Sequence, residues 1–126
     1  GHPCGDYVLQ QCAKVMTMVA CRPTDVVARY GGEEFVVLFP NTDITGAEHL
    51  AQLLVTSMNE QHIKYEGERV RISVSIGVMT AWPSTQIKLE DIIRNADEAL
   101  YQAKDNGRNT YVIHRTASTT VSPPLC

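Results

Sequence analysis

Apolar residues recur in this chain with two periods, one of three to four positions and one of two, and the two periods alternate along its length. From Asp6 to Ala20, the residues Val8, Leu9, Cys12, Val15, Met16 and Val19 keep the longer spacing, which predicts an amphipathic helix. Arg22-Pro23 ends it, because a proline drives the residue before it out of helical conformation. Val26–Tyr30 and Phe35–Phe39 are short β-branched and aromatic runs around Gly31-Gly32, the pattern of a hairpin with a tight glycine turn. Both faces of its second arm are apolar. Thr45-Gly46-Ala47-Glu48 has the form of a capping box, and Leu50, Leu53, Leu54 and Met58 then keep helical spacing to about Gln61. Val70, Ile72, Val74, Ile76 and Val78 alternate with Arg71, Ser73, Ser75 and Gly77, which predicts one strand ending before Trp82-Pro83, with Trp82 packed at the strand end. Leu89, Ile92, Ile93, Ala96, Leu100 and Ala103 predict a third helix stopped by Gly107, and Thr110 to Ile113 a final strand.

The resulting order is helix, hairpin, helix, strand, helix, strand. Helices returning between strands argue an α/β (α+β) domain with a sheet layered by helices. At 126 residues, 44% hydrophobic and 20% charged, the chain has the composition of a single globular domain with one core. The net charge of −3 gives no broad basic surface, so nucleic acid is not an expected partner and any phosphate must be met locally. No apolar run is long enough to span a bilayer, which predicts no membrane contact by this domain and a cytoplasmic location, including that of a cytoplasmic domain on a membrane-bound sensor. Cys4, Cys12, Cys21 and Cys126 lack metal-site spacing and form no evident disulfide framework, in keeping with a reducing compartment. His2, His49, His62 and His114 fall in four different elements and are assigned no role. The Ser-, Thr- and Pro-containing stretch 115–126 reads as a loose tail to a domain over 1–114.

Several polar residues carry candidate chemistry, each beside a plainer explanation. Gly31 and Gly32 followed by Glu33 and Glu34 would let a ligand approach the backbone beside two carboxylates, which suits a metal bound together with a phosphate. On an extended arm the two glutamates leave opposite faces, so one ligand and one helper is the favoured division; glutamates that merely solubilise a hairpin tip are the alternative. Asp97, Tyr101 and Lys104 share a helical face, and Lys104 with Arg108 would hold a polyphosphate, or else only offset the dipole at the helix C-terminus. Asp6 precedes the predicted helix and reads as a cap or, since a carboxylate only accepts and guanine offers adjacent N–H donors, as a selector of guanine. Arg22 and Asp25 read as an exposed ion pair or as a guanidinium presented to phosphate or guanine.

Together these residues resemble a known family. Gly1-His2 through Gly5-Asp6, the block Arg29-Tyr30-Gly31-Gly32-Glu33-Glu34-Phe35, Ser75-Ile76-Gly77-Val78, and Ala96 to Lys104 with Gly107-Arg108-Asn109 follow the order and spacing of the GGDEF domain in its GGEEF variant, from residue 1 to about residue 113. The resemblance implies a fold similar to the palm of nucleotidyl cyclases and polymerases, with the signature on a β-hairpin. It implies a diguanylate cyclase that condenses two GTP molecules into cyclic di-GMP plus pyrophosphate, dependent on Mg²⁺ (or Mn²⁺), as an antiparallel homodimer in which each 3′-hydroxyl attacks the other nucleotide's α-phosphate. By position, Glu33 would bind the metal and Glu34 would assist with a metal or the attacking hydroxyl. Gly31 and Gly32 would admit the nucleotide, Asp6 would read guanine, and Lys104 and Arg108 would hold the phosphates. Arg22-Pro23-Thr24-Asp25 stands where the family carries its R-x-x-D product-inhibition site. The arginine that the next helix often adds there would fall near Leu53 or His49, which implies weaker inhibition.

The family's domain opens with a strand bearing an aspartate metal ligand, followed by a phosphate-binding lysine and a guanine-binding asparagine, and these are not among the residues of this chain. The expectation is therefore a partial domain, inactive and unstable by itself, attached in nature to an upstream sensory or receiver domain. A non-catalytic module that binds GTP or cyclic di-GMP and regulates an attached domain is the alternative function.

Overall fold

The computed structural model describes residues 2–32, 34–82 and 88–114. Glu33 and the expected tail 115–126 lie outside them. In chain order the elements are α1 (His2–Val19), β1 (Val26–Gly31), β2 (Glu34–Leu38), α2 (Ile44–Asn59), β3 (Ile63–Tyr65), β4 (Glu68–Val70), β5 (Ile76–Val78), α3 (Leu89–Asp105) and β6 (Tyr111–Ile113). The mixed helix and strand class is the expected one. The chain divides into two compact units, Gly1–Asn41 with Leu53–Val74, and Thr42–Gln52 with Ser75–Cys126.

In the first unit α1 buries Val15 and Met16 and continues to a last turn closed by the Ala20 N–H on the Met16 carbonyl. It packs on β1 and β3, with Tyr7 and Tyr65 in tilted ring contact at 5.7 Å. The antiparallel hairpin β1–β2 runs from Val26↔Leu38 to Arg29↔Phe35 and resumes at Gly31↔Glu34, so that Tyr30 is the extra residue of a bulge. The pair β3–β4 was not predicted. Its turn is Glu66-Gly67, both at positive φ (52° and 82°), the twist a two-residue hairpin loop requires. The predicted strand from Val70 to Val78 is consequently divided: Val70 closes β4, Ile76 opens β5, and 71–75 belong to no ladder among the described residues. Ile72 is buried within that stretch, so the alternation reports a buried face without continuous pairing.

In the second unit β5 and β6 pair in parallel, Ile76↔Tyr111 to Val78↔Ile113, and α3 is the crossover that a parallel pair needs. Ala99 and Ala103 are buried on α3, and the helix backbone comes so close that a Cβ on Gly77 would overlap the Ala96 carbonyl and the Leu100 nitrogen. The His114 N–H extends the ladder to the Val78 carbonyl at 2.7 Å, and its Nε2 lies 3.0 Å from the Glu98 carboxylate on α3. The start of α2 differs from the capping box expected at Thr45. Asp43 is the cap, its Oδ1 accepting the Gly46 N–H at 2.8 Å and its carbonyl the Ala47 N–H at 2.8 Å, so the helix begins before Thr45. Trp82, expected to pack, is 66% exposed.

Candidate active site

The glycine turn is set by its hairpin. Gly31 and Glu34 face each other across the ladder, Gly32 holds φ at +51°, and among the described residues no heavy atom beyond the chain neighbours lies within 4 Å of a Cβ built on either glycine. The backbone at this tip is therefore open to close approach, as the two glycines led one to expect. Glu34 opens β2 with its side chain exposed, while Glu33 falls outside the described residues. Arg29, the first residue of the signature block, donates from Nε and Nη2 to the Gly32 carbonyl at 2.9 and 2.6 Å.

Asp6 is not a helix cap. Helix α1 starts at His2, so Asp6 sits inside it, exposed and without a side-chain hydrogen bond among the described residues. The capping explanation is lost and the carboxylate is left available. Arg22 and Asp25 do meet, and more tightly than a loose surface pair. The Arg22 N–H and Nε–H each donate to the Asp25 carboxylate at 3.0 Å, the Asp25 N–H returns to the Arg22 carbonyl at 2.9 Å, and Nη2 adds an ion pair at 2.9 Å. The Asp25 side chain is only 2% exposed against 44% for that of Arg22. The side-chain hydrogen bond from Arg22 holds the Asp25 carboxyl below the usual carboxylate range.

Lys104 and Arg108 come together. With Tyr101 and Asp105 they line an open recess of about 220 Å³, and neither cation forms an ion pair among the described residues. That is below the ~300–1,000 Å³ of pockets enclosing a whole small ligand, so it suits the anionic end of one. The last turn of α3 builds it. The Arg108 N–H closes on the Ala103 carbonyl at 3.0 Å and the Asn109 N–H on Ser75 Oγ at 3.2 Å, with Gly107, Arg108 and Asn109 all at positive φ. The sequence reading missed Asp105 and Ser75; the adjacency of Asp105 to Lys104 was its signal, whereas a contact from Ser75 to Asn109 has none in a linear pattern. The candidate residues thus divide between the units, with Asp6, Arg22, Asp25, Gly31, Gly32 and Glu34 in the first and Lys104 and Arg108 in the second. Among the described residues no group of three His, Cys, Asp or Glu side chains gathers to hold a metal unaided. A cation such as Mg²⁺, which takes one or two carboxylates and completes its shell with phosphate and water, nevertheless fits the exposed Glu34 at an open turn.

A family model described as "Diguanylate cyclase, GGDEF domain" matches residues 1–110. The chain belongs to the GGDEF domain family. Diguanylate cyclase A of Treponema denticola is 37% identical to this GGDEF chain over 115 residues, which is 91% of the chain and 30% of that relative. The chain thus spans under a third of the length of this curated relative. Among solved structures, the active GGEEF domain of a diguanylate cyclase from Vibrio cholerae matches with TM-score 0.78 at 34% identity, covering 93% of this chain and 72% of that one. The GGDEF domain of DgcB from Caulobacter crescentus, crystallised in complex with c-di-GMP, matches with TM-score 0.84 at 30% identity over 92% of this chain and 68% of that one. The palm-like GGDEF fold, small sheets flanked by helices with the signature on a hairpin, is therefore the fold of this chain. No helix among its described residues is long and apolar enough to cross a membrane.

Proposed function

We propose that this chain forms part of the catalytic domain of a diguanylate cyclase, joining two GTP molecules into cyclic di-GMP with release of two pyrophosphates. What supports the reading is the open glycine turn with Glu34 exposed beside it, on a chain of the cyclase family. Gly31 and Gly32 admit the nucleotide to the backbone, and Asp6, freed from capping, accepts the guanine N–H donors. Lys104 and Arg108 bind the phosphates, placing their charge where it accumulates toward the transition state. Glu34, with Glu33, would hold Mg²⁺ or Mn²⁺, which when bound draws charge from the phosphates. A homodimer is required because each 3′-hydroxyl must meet the other nucleotide's α-phosphorus, so positioning carries much of the catalysis. Product feedback belongs to Arg22. Asp25 and the turn already hold its guanidinium half-exposed, ready for a cyclic di-GMP phosphate or guanine.

In the natural polypeptide carrying this chain, Glu34→Ala should lower cyclic di-GMP formation from GTP and Mg²⁺ by about a hundredfold or more. A wild-type protein that forms no cyclic dinucleotide, or a Glu34→Ala variant at full rate, sinks the proposal. A second reading, a non-catalytic module that binds cyclic di-GMP, is favoured by the same Arg22–Asp25 turn, which needs no metal. Binding of cyclic di-GMP that is lost in Arg22→Ala, in a protein without turnover, would select it.

A further inference from the structure

The signature turn carries a cation of its own, and that cation points back at the turn. Arg29 stands opposite Phe35 in the last regular rung before the bulge at Tyr30. From there its Nε and Nη2 both reach the carbonyl oxygen of Gly32, at 2.9 and 2.6 Å. A two-pronged grip on that oxygen fixes the plane of the Gly32 carbonyl at the tip of the turn. The grip is needed because the chain is otherwise poorly constrained there. Gly32 has φ +51° and open space where a Cβ would be, and the bulge interrupts the ladder between Arg29 and Gly31. A glycine at a ladder defect has more backbone freedom than any other residue.

We propose that Arg29 is a positioning residue, which clamps the Gly32 carbonyl and so holds the tip of the turn in one shape beside Glu34, and whose task is not phosphate binding. This rests on the function proposed above for the same turn. An exposed arginine gains a charge-assisted bond but loses the rotamer freedom of a long side chain, and these effects nearly offset each other. The clamp therefore acts on the geometry of the tip and little on global stability. Lysine cannot substitute, because an ammonium has the charge but not the planar fork.

The test compares wild type, Arg29→Lys and Arg29→Ala in the natural polypeptide carrying this chain. Amide exchange at positions 30–34 should rise by about tenfold in both variants with exchange in α3 and the melting temperature unchanged. The Mg²⁺ concentration for half-maximal cyclase rate should rise by about fivefold or more in both, with the KM for GTP within about twofold of wild type. Unchanged tip exchange in Arg29→Ala overturns the clamp. So does an Arg29→Lys variant with wild-type kinetics beside an Arg29→Ala variant with a raised GTP KM, since charge alone would then suffice. A wild-type protein without turnover whose tip exchange rises on Arg29→Ala supports the clamp and overturns the proposed cyclase function instead.

Discussion

Arg108 holds a backbone conformation that few arginines adopt. Its φ is +65°, between Gly107 at +107° and Asn109 at +51°, and outside glycine the left-handed region costs roughly 1–2 kcal/mol per residue. The cost is met by the Arg108 N–H on Ala103 and the Asn109 N–H on Ser75, and it directs the guanidinium into the recess beside Lys104. Such strain at a residue lining an open recess follows the general association of unfavourable backbone with functional sites. Asparagine tolerates this conformation better but carries no charge. Arg108→Asn should therefore leave stability to urea within about 0.5 kcal/mol of wild type, or raise it, while GTP affinity measured by calorimetry falls about tenfold or more. An equal loss of stability and affinity would show that the arginine acts on folding. The cation itself was legible, because a basic residue just past a helix stop announces itself. Its conformation was not, since that depends on the next residue, Asn109, bonding a serine 34 positions before it in sequence. Asp6 erred in the opposite direction. The apolar period placed the helix start after it, but helix formation extends back to His2 through residues that bury little.

At the scale of elements, the tightest dependence is that of α3 on Gly77. Any side chain there would enter the helix backbone, with a built Cβ also 2.9 Å from the Leu100 Cα, and backbone cannot turn aside as a side-chain end can. Gly77→Ala should cost about 3 kcal/mol or more, read as a fall in the urea midpoint, and should loosen exchange across α3, β5 and β6 together. A loss under about 1 kcal/mol would mean that the helix shifts freely on the strand pair. The two other helices were broadly legible from period alone, as was the signature hairpin from its β-branched arms and paired glycines. The division of the 70–78 stretch was not. Strict alternation says which residues face inward, but pairing depends on neighbours far along the chain, and β5 finds β6 for only three residues. The turn between β3 and β4 escaped notice because Glu66 stands at positive φ where asparagine or aspartate would have signalled it.

Across the whole molecule, stability depends on pH through the first unit. That unit carries the buried Asp25 carboxylate, which Arg22 holds below its ordinary pKa by hydrogen bonding. A carboxyl depressed in the fold stabilises fully above the unfolded-state value and loses that contribution as pH falls through the depressed one. Urea unfolding between about pH 6 and pH 2 should thus show a stability loss in acid that Asp25→Asn flattens, with the variant less stable than wild type at neutral pH. A parallel pair of curves would refute the linkage. Trp82, the sole tryptophan of the chain, adds an optical consequence. Because 66% of it already faces water, its emission in the native protein should resemble that of the denatured chain, making it a poor thermometer of folding. The same exposure makes it a sensitive gauge of contact, and a blue shift on mixing with another chain would mark the moment that the indole is covered.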